Sequence, residues 1–212
     1  MKKVFSIALF AFVMIVSANA QSSFGVKTSF GLIPHREESV FASNASDYVT
    51  HQITFDNASP VYSGGFFVKK VMGWTYFQMD AMYSSYSLDY RLEQFGNRSI
   101  YNKTVTEKFK NIDLVINAGI TSDRLRLGFG PVFHIIADHT SALDEIPNYN
   151  ERLGAMTYGF SGAVGYDLGN LSFDVRYENA LTTIGDHMYF GAARSKFTTG
   201  ANQITLSVGY GF

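Results

Sequence analysis

Along most of this chain, large apolar residues recur at every second position, with small or polar residues between them. The pattern is cleanest over Gln203–Phe212. There Ile204, Leu206, Val208, Tyr210 and Phe212 share one face, and Gln203, Thr205, Ser207, Gly209 and Gly211 share the other. A period of two predicts a strand with one apolar face. Seven further segments carry the same signal: Phe24–Leu32, Tyr62–Lys70, Thr75 to about Tyr90, Phe109–Gly119, Leu125–Ala137, Met156–Tyr166 and Leu171–Leu181. In the third of these, Phe77, Met79, Ala81 and Tyr83 oppose Gln78, Asp80, Met82 and Ser84. In the fourth, Ile112, Leu114, Ile116 and Ala118 oppose Asn111, Asp113, Val115 and Asn117. Pro131 interrupts the fifth; a residue without a backbone N–H predicts an edge or a bulge there.

The connections alternate in length. Long polar stretches are expected as loops over Ile33–Ser59, Leu92–Thr106, Asp138–Ala155 and Thr182–Ala201. Short turns are expected near Gly73, Asp123 and Gly169. Eight strands joined in this way predict an all-β fold: an eight-stranded antiparallel up-and-down transmembrane β-barrel with short periplasmic turns and long extracellular loops. The non-apolar face decides between a membrane barrel and a soluble one. It is rich in glycine and carries only Lys27, Lys69, Asp80, Asp113, Arg126, Asp174, Arg176 and Glu178, four bases and four acids. A water-facing exterior carries more charge than that, so this face is assigned to a narrow lumen closed by ion pairs. The aromatic residues Trp74, Phe77, Tyr166, Phe173, Tyr210 and Phe212 gather at the turn ends of the strands, as an interfacial girdle does.

The N-terminus adds an export signal. Met1-Lys2-Lys3 precedes the apolar run Val4–Val16, and Ala18 and Ala20 form an A-x-A cleavage site before Gln21. Residues 1–20 are therefore read as a signal peptide and 21–212 as one barrel domain, exported to the bacterial outer membrane. The mature chain would carry 15 bases and 18 acids, a net charge of about −3, which excludes a nucleic-acid partner by charge. The sequence has no cysteine, hence neither a disulfide framework nor a lipoprotein anchor.

Short motifs run through the whole mature chain. They are Phe24-Gly25-Val26-Lys27, Gly65-Phe66-Phe67-Val68, Phe77–Ser84, Gly128-Phe129-Gly130-Pro131-Val132, Arg176–Leu181 and the closing Gly-Tyr-x-Phe. With these, the chain resembles the PorT-like outer-membrane β-barrel domain family, whose members are mostly barrels without an assigned activity. The last strand also resembles the closing strand of bacterial outer-membrane barrels. That likeness implies that Val208, Tyr210 and Phe212 are read by the barrel-insertion machinery.

Candidate chemistry is sparse. Gly159-Phe160-Ser161-Gly162-Ala163 approaches a nucleophile elbow but ends on Ala and lies mid-strand. His139-Thr140-Ser141, with Glu145 nearby, is similar to the His-x-Ser pair of outer-membrane lipid A deacylases, although it falls in an expected loop and Ala142 replaces the asparagine that follows. The histidines His35, His51, His134, His139 and His187 have no metal-ligand spacing. Asn-x-Ser/Thr at Asn44, Asn57, Asn97, Asn102 and Asn170 is read as incidental. The expected function is a non-enzymatic outer-membrane barrel with a side-chain-filled lumen and a structural or surface-interaction role through its loops. It would have no cofactor or metal; its partners would be outer-membrane lipids, the insertion machinery and a loop-binding partner. The alternatives are a lipid-modifying enzyme and a soluble secreted barrel for an apolar ligand.

Overall fold

The computed structural model describes residues 21–34, 39–43, 49–94, 101–142, 149–183, 185–190, 193–196 and 202–212. The eight alternating segments become β1 (Gln21–Leu32), β4 (Val61–Met72), β5 (Thr75–Gln94), β6 (Tyr101–Ser122), β7 (Leu125–Ser141), β9 (Met156–Leu168), β10 (Leu171–Ala180) and β13 (Gln203–Gly211). Each pairs antiparallel with the next, and β13 returns to β1, so the eight strands form a closed ring. Closure removes the open edges that a flat sheet would leave. At one end the ring turns over Gly73-Trp74, Asp123-Arg124 and Gly169-Asn170, with φ of +63°, +49° and +61° at the first residue of each pair. A positive φ there matches the twist of the flanking strands, and glycine or aspartate adopts it at little steric cost.

The remaining strands correct the sequence reading. Of the four stretches expected as loops, Leu92–Thr106 holds the facing ends of β5 and β6, and the other three contain β2 (Ser39–Ser43), β3 (Val49–Ala58), β8 (Tyr149–Leu153), β11 (Gly185–Phe190) and β12 (Ala193–Lys196). These extend from β5 in the order β5–β3–β2–β12–β11–β8, away from the turn end. β5 and β6 run well past their expected limits and pair without a shift from Thr75↔Ile120 to Gln94↔Tyr101. Pro131 marks neither an edge nor a register shift. The β6–β7 ladder passes from Val115↔Val132 to Ala118↔Phe129 in one register and omits the pairs between.

The parity of β5 and β6 never changes, but their polarity does. From Thr75 to Tyr83 and from Ile112 to Ile120 the outward residues after Thr75 are apolar, while Gln78, Asp80, Asp113 and Asn117 point inward and are buried. Beyond that level the outward residues are Ser85, Ser87, Asp89 and Arg91 on one strand and Lys110, Lys108, Thr106 and Thr104 on the other. The inward ones, Glu107 apart, become mainly apolar: Leu88, Tyr90, Leu92, Val105 and Phe109 pack with Ile53 and Phe55 of β3 into a buried cluster. The protein is therefore inside-out near the turns and conventional farther up. Across that upper wall Lys110 Nζ donates to Asp138 at 2.8 Å. This hydrogen bond, followed by the lysine's charge, holds the exposed Asp138 carboxyl below its ordinary range.

The closing seam depends on two glycines. A Cβ at Gly25 would lie 2.1 Å from the Tyr210 carbonyl oxygen and 2.6 Å from the Phe67 ring; at Gly209 it would lie 2.5 Å from Ser172 Oγ and 3.0 Å from the same ring. Phe67, buried on the lumen side of β4, thus lies against bare backbone where the first and last strands meet.

Candidate functional site

Inward positions of seven ring strands assemble one linear network of alternating sign. From the turn end it runs Lys69–Asp167 (2.7 Å), Asp167–Arg126 (3.0 Å), Arg126–Asp174 (2.8 Å) and Asp174–Lys27 (2.9 Å). It continues Lys27–Asp80 (2.8 Å), Asp80–Arg176 (3.5 Å), Arg176–Glu178 (2.6 Å), Glu178–His134 (3.4 Å) and His134–Asp113 (2.7 Å). Gln78 bridges Asp80 and Arg126, each at 2.8 Å, and Gln203 caps Glu178. With His134 protonated, five cations face five anions. Side chains from β1, β4, β5, β6, β7, β9 and β10 converge because each points inward and lies level with its neighbours in the network, which no sequence separation displays.

All eight charges assigned to the lumen lie in this network. Sequence reasoning left out Asp167 and His134 as members. Asp167 lies two residues before the turn expected at Gly169, although it shares parity with the inward Ser161 and Ala163. His134 stands in the sequence only among histidines without metal-ligand spacing. Their parity with Arg126 and Ala163 was the available signal.

Bulk fills what the charges leave. Phe67, Met82, Val115 and Val132 are buried in the lumen. A cavity of about 10 Å³ lies among Lys27, Gln78, Asp80, Arg126 and Asp174, room for about one water. A second, of about 20 Å³, lies above it beside Asp113, His134 and Gln203. At the turn end an open vestibule of about 460 Å³ reaches in as far as Lys69 and Asp167. The network therefore closes the lumen a short way in from that mouth, and the apolar cluster closes it again above. Buried charges in such a place need partners to stay ionised. Here every acid except Asp113 meets two bases, so losing one contact leaves another in place.

The remaining candidates have the following surroundings. His139 and Ser141 lie on β7 rather than in a loop, and both reach Glu107 of β6: His139 Nε2 to Oε2 and Ser141 Oγ to Oε1, each at 2.5 Å. The carboxylate, not the imidazole, receives the serine proton, which is not the order a nucleophilic serine requires. The Phe109 ring lies 4.6 Å from His139, and Tyr86 stacks on Phe109 at 5.3 Å. Glu145 lies outside the described residues. Ser161 is buried mid-strand and donates to Asn117 Oδ1 and the Gly130 carbonyl, so its hydroxyl belongs to the wall. Among the described residues no group of three or more His, Cys, Asp or Glu is placed to hold a metal ion. Val208, Tyr210 and Phe212 line the outer face, with Phe212 N donating to the Phe24 carbonyl at 2.8 Å. Ala18 and Ala20 lie outside the described residues, and Gln21 opens β1.

No protein-family profile matches the chain, and no curated protein matches it. The PorT-like resemblance rests on its short motifs alone. Among solved structures the fold is similar to the outer membrane protease OmpT from Escherichia coli, with a TM-score of 0.45 and 9% identity over 90% of this chain and 97% of that one. It is also similar to the outer membrane protein AlkL in DMPC bilayers, with a TM-score of 0.45 and 14% identity over 92% of each chain. Neither likeness carries an activity across.

Proposed function

We propose that this chain is a non-enzymatic outer-membrane β-barrel of the small PorT-like kind, sealed to solutes and acting structurally or through its extracellular end. The observation that carries this reading is the inside-out section of the ring. Its outer wall bears Phe24, Val26, Phe66, Phe129, Leu206 and Tyr210, all exposed, while the ionised side chains are buried within. Water rejects such a surface and hydrocarbon accepts it. Thr75–Tyr83 and Ile112–Ile120 span nine residues each, and about 9–11 tilted residues cross a bilayer. The same outward apolar wall argues against a soluble barrel holding an apolar ligand. The turn end faces the periplasm in this reading, the leader 1–20 is removed before Gln21, and the insertion machinery reads the closing strand.

The experiment is expression followed by membrane fractionation, unboiled gel migration and planar-bilayer recording. Outer-membrane recovery, a heat-modifiable band and small or absent currents are the expected result. Recovery as a soluble periplasmic protein would overturn the location, and long-lived solute-permeable openings would overturn the sealed lumen. One observation favours a second reading, a lipid-modifying enzyme: the Glu107–His139–Ser141 cluster lies just above the apolar band. Lipid deacylation by the wild type that Ser141→Ala abolishes would establish that reading in place of the first.

A further inference from the structure

The outer wall carries a furrow of about 600 Å³ that crosses β1, β13, β10 and β9. Its floor is the backbone around the inward residues Ser29, Ser207, Asp174 and Gly165. One bank is the outward row Thr28–Val208–Phe173–Tyr166, in register across four strands. The other is the row Phe30–Leu206–Val175–Val164, which Tyr62 of β4 continues beyond Phe30, the two rings 5.6 Å apart. Where the first row reaches β4 it meets Gly64, at which an added Cβ would touch nothing within 4 Å. The furrow is therefore open at that end.

We propose that this furrow is a binding site for one acyl chain of a bilayer lipid. The proposal rests on the outer-membrane reading above. Residues two apart on a strand are about 6.7 Å apart, so a chain midway lies about 3.4 Å from each bank's axis, close to the 3.5–4.0 Å at which carbon atoms attract best. Four strands at about 4.8 Å spacing give a length of about 14 Å. The strands of such barrels tilt by about 35–45°, so a furrow perpendicular to them descends obliquely, as a chain from one leaflet would. Its banks are mainly hydrocarbon. Of their three hydroxyl-bearing side chains, Thr28 donates its hydroxyl to the Ser63 carbonyl at 3.1 Å, and Tyr62 and Tyr166 stand at the two ends of the furrow. A second barrel would fit it poorly, because two convex walls in one membrane meet along a narrow strip parallel to their axes, which crosses the furrow obliquely instead of following it.

The test uses the full mature chain with Trp74→Phe, carrying a single reporter as either Tyr62→Trp at the furrow's end or Ile112→Trp, exposed on β6 at a similar level and away from the furrow. Each protein is folded into phosphatidylcholine vesicles containing increasing fractions of lipid with dibrominated acyl chains, which quench tryptophan on contact. A seated chain predicts half-quenching at Tyr62→Trp with about fivefold less brominated lipid than at Ile112→Trp, corresponding to about 1 kcal/mol. Adding Val175→Phe, which fills the furrow, should bring the two reporters together. Equal half-quenching in the unfilled protein would overturn the proposal. Weaker quenching at Tyr62→Trp would overturn it in favour of a second copy covering this wall. If neither reporter is quenched, the membrane reading itself fails and this proposal with it.

Discussion

The lumen network invites a double-mutant cycle at its centre. Lys27 and Asp80 are almost wholly buried and 2.8 Å apart. At an effective dielectric constant near 20 their gross attraction is about 6 kcal/mol, most of it offset by the cost of removing both ions from water. Lys27→Met takes a cation from both Asp80 and Asp174, but Arg176 and Arg126 remain beside them. Asp80→Leu leaves Lys27 with Asp174 and Arg176 with Glu178. Breaking one side of a buried pair costs about 3–5 kcal/mol, and the surviving second contacts put each single change near the lower bound, about 3 kcal/mol. Independent effects would sum to about 6 kcal/mol. The double variant is again neutral and apolar at the contact, so its expected loss is about 2–3 kcal/mol, a coupling of about 3 kcal/mol. Urea titration in phospholipid vesicles, followed by Trp74 emission in both the unfolding and refolding directions, measures all four corners. A double variant that loses the sum of the singles to within about 0.5 kcal/mol would refute the pairing.

Three further outcomes are expected. Tyr210→Asp sets a carboxylate on the apolar wall and should cut the membrane-inserted fraction several-fold in pulse-chase gel shifts, as should loss of Phe212; normal insertion of both would remove the closing strand's assigned role. Gly25→Leu drives a side chain into the Tyr210 carbonyl and the Phe67 ring, so the seam should close slowly or not at all in refolding assays, while Gly64→Leu should fold at the wild-type rate. Leu88→Ala removes a fully buried member of the upper cluster and should cost about 2–5 kcal/mol. That loss should appear as early protease cleavage in the upper section, with the gel shift of the lower ring retained.

The ring strands were legible because one rule covers them: apolar residues outward at every second position. The same rule hid the upper halves of β5 and β6. Leu88, Tyr90 and Leu92 keep the alternation of Tyr83 and Ala81, but on the opposite face, so a reading that equated apolar with outward saw the pattern dissolve at Leu92. β2, β8 and β12 are four or five residues long, too short for any periodicity to rise above the composition of a polar loop. The eight lumen charges could be assigned by parity alone. Their order along the network could not, since it depends on which strands face one another across the lumen and on the heights set by register. The Glu107–His139–Ser141 cluster illustrates both limits: the two β7 residues were noticed, but Glu107, more than thirty positions away, enters only through the β6–β7 pairing.

The change of polarity along β5 and β6 acts as a waterline. If the barrel sank by two residues along these strands, Lys110 and Ser85 would enter hydrocarbon while Ile120 and Thr75 emerged on the other side; a lysine carried toward the bilayer centre costs about 2.5–3.5 kcal/mol at the limit. If it rose by the same amount, Ile112 and Tyr83 would be stranded in water. Depth is thus fixed from within each strand rather than by the loops. A substitution therefore means opposite things two positions apart: a lysine suits position 110 and would pull the barrel out of place at 112, whereas a leucine suits 112 and would draw it down at 110.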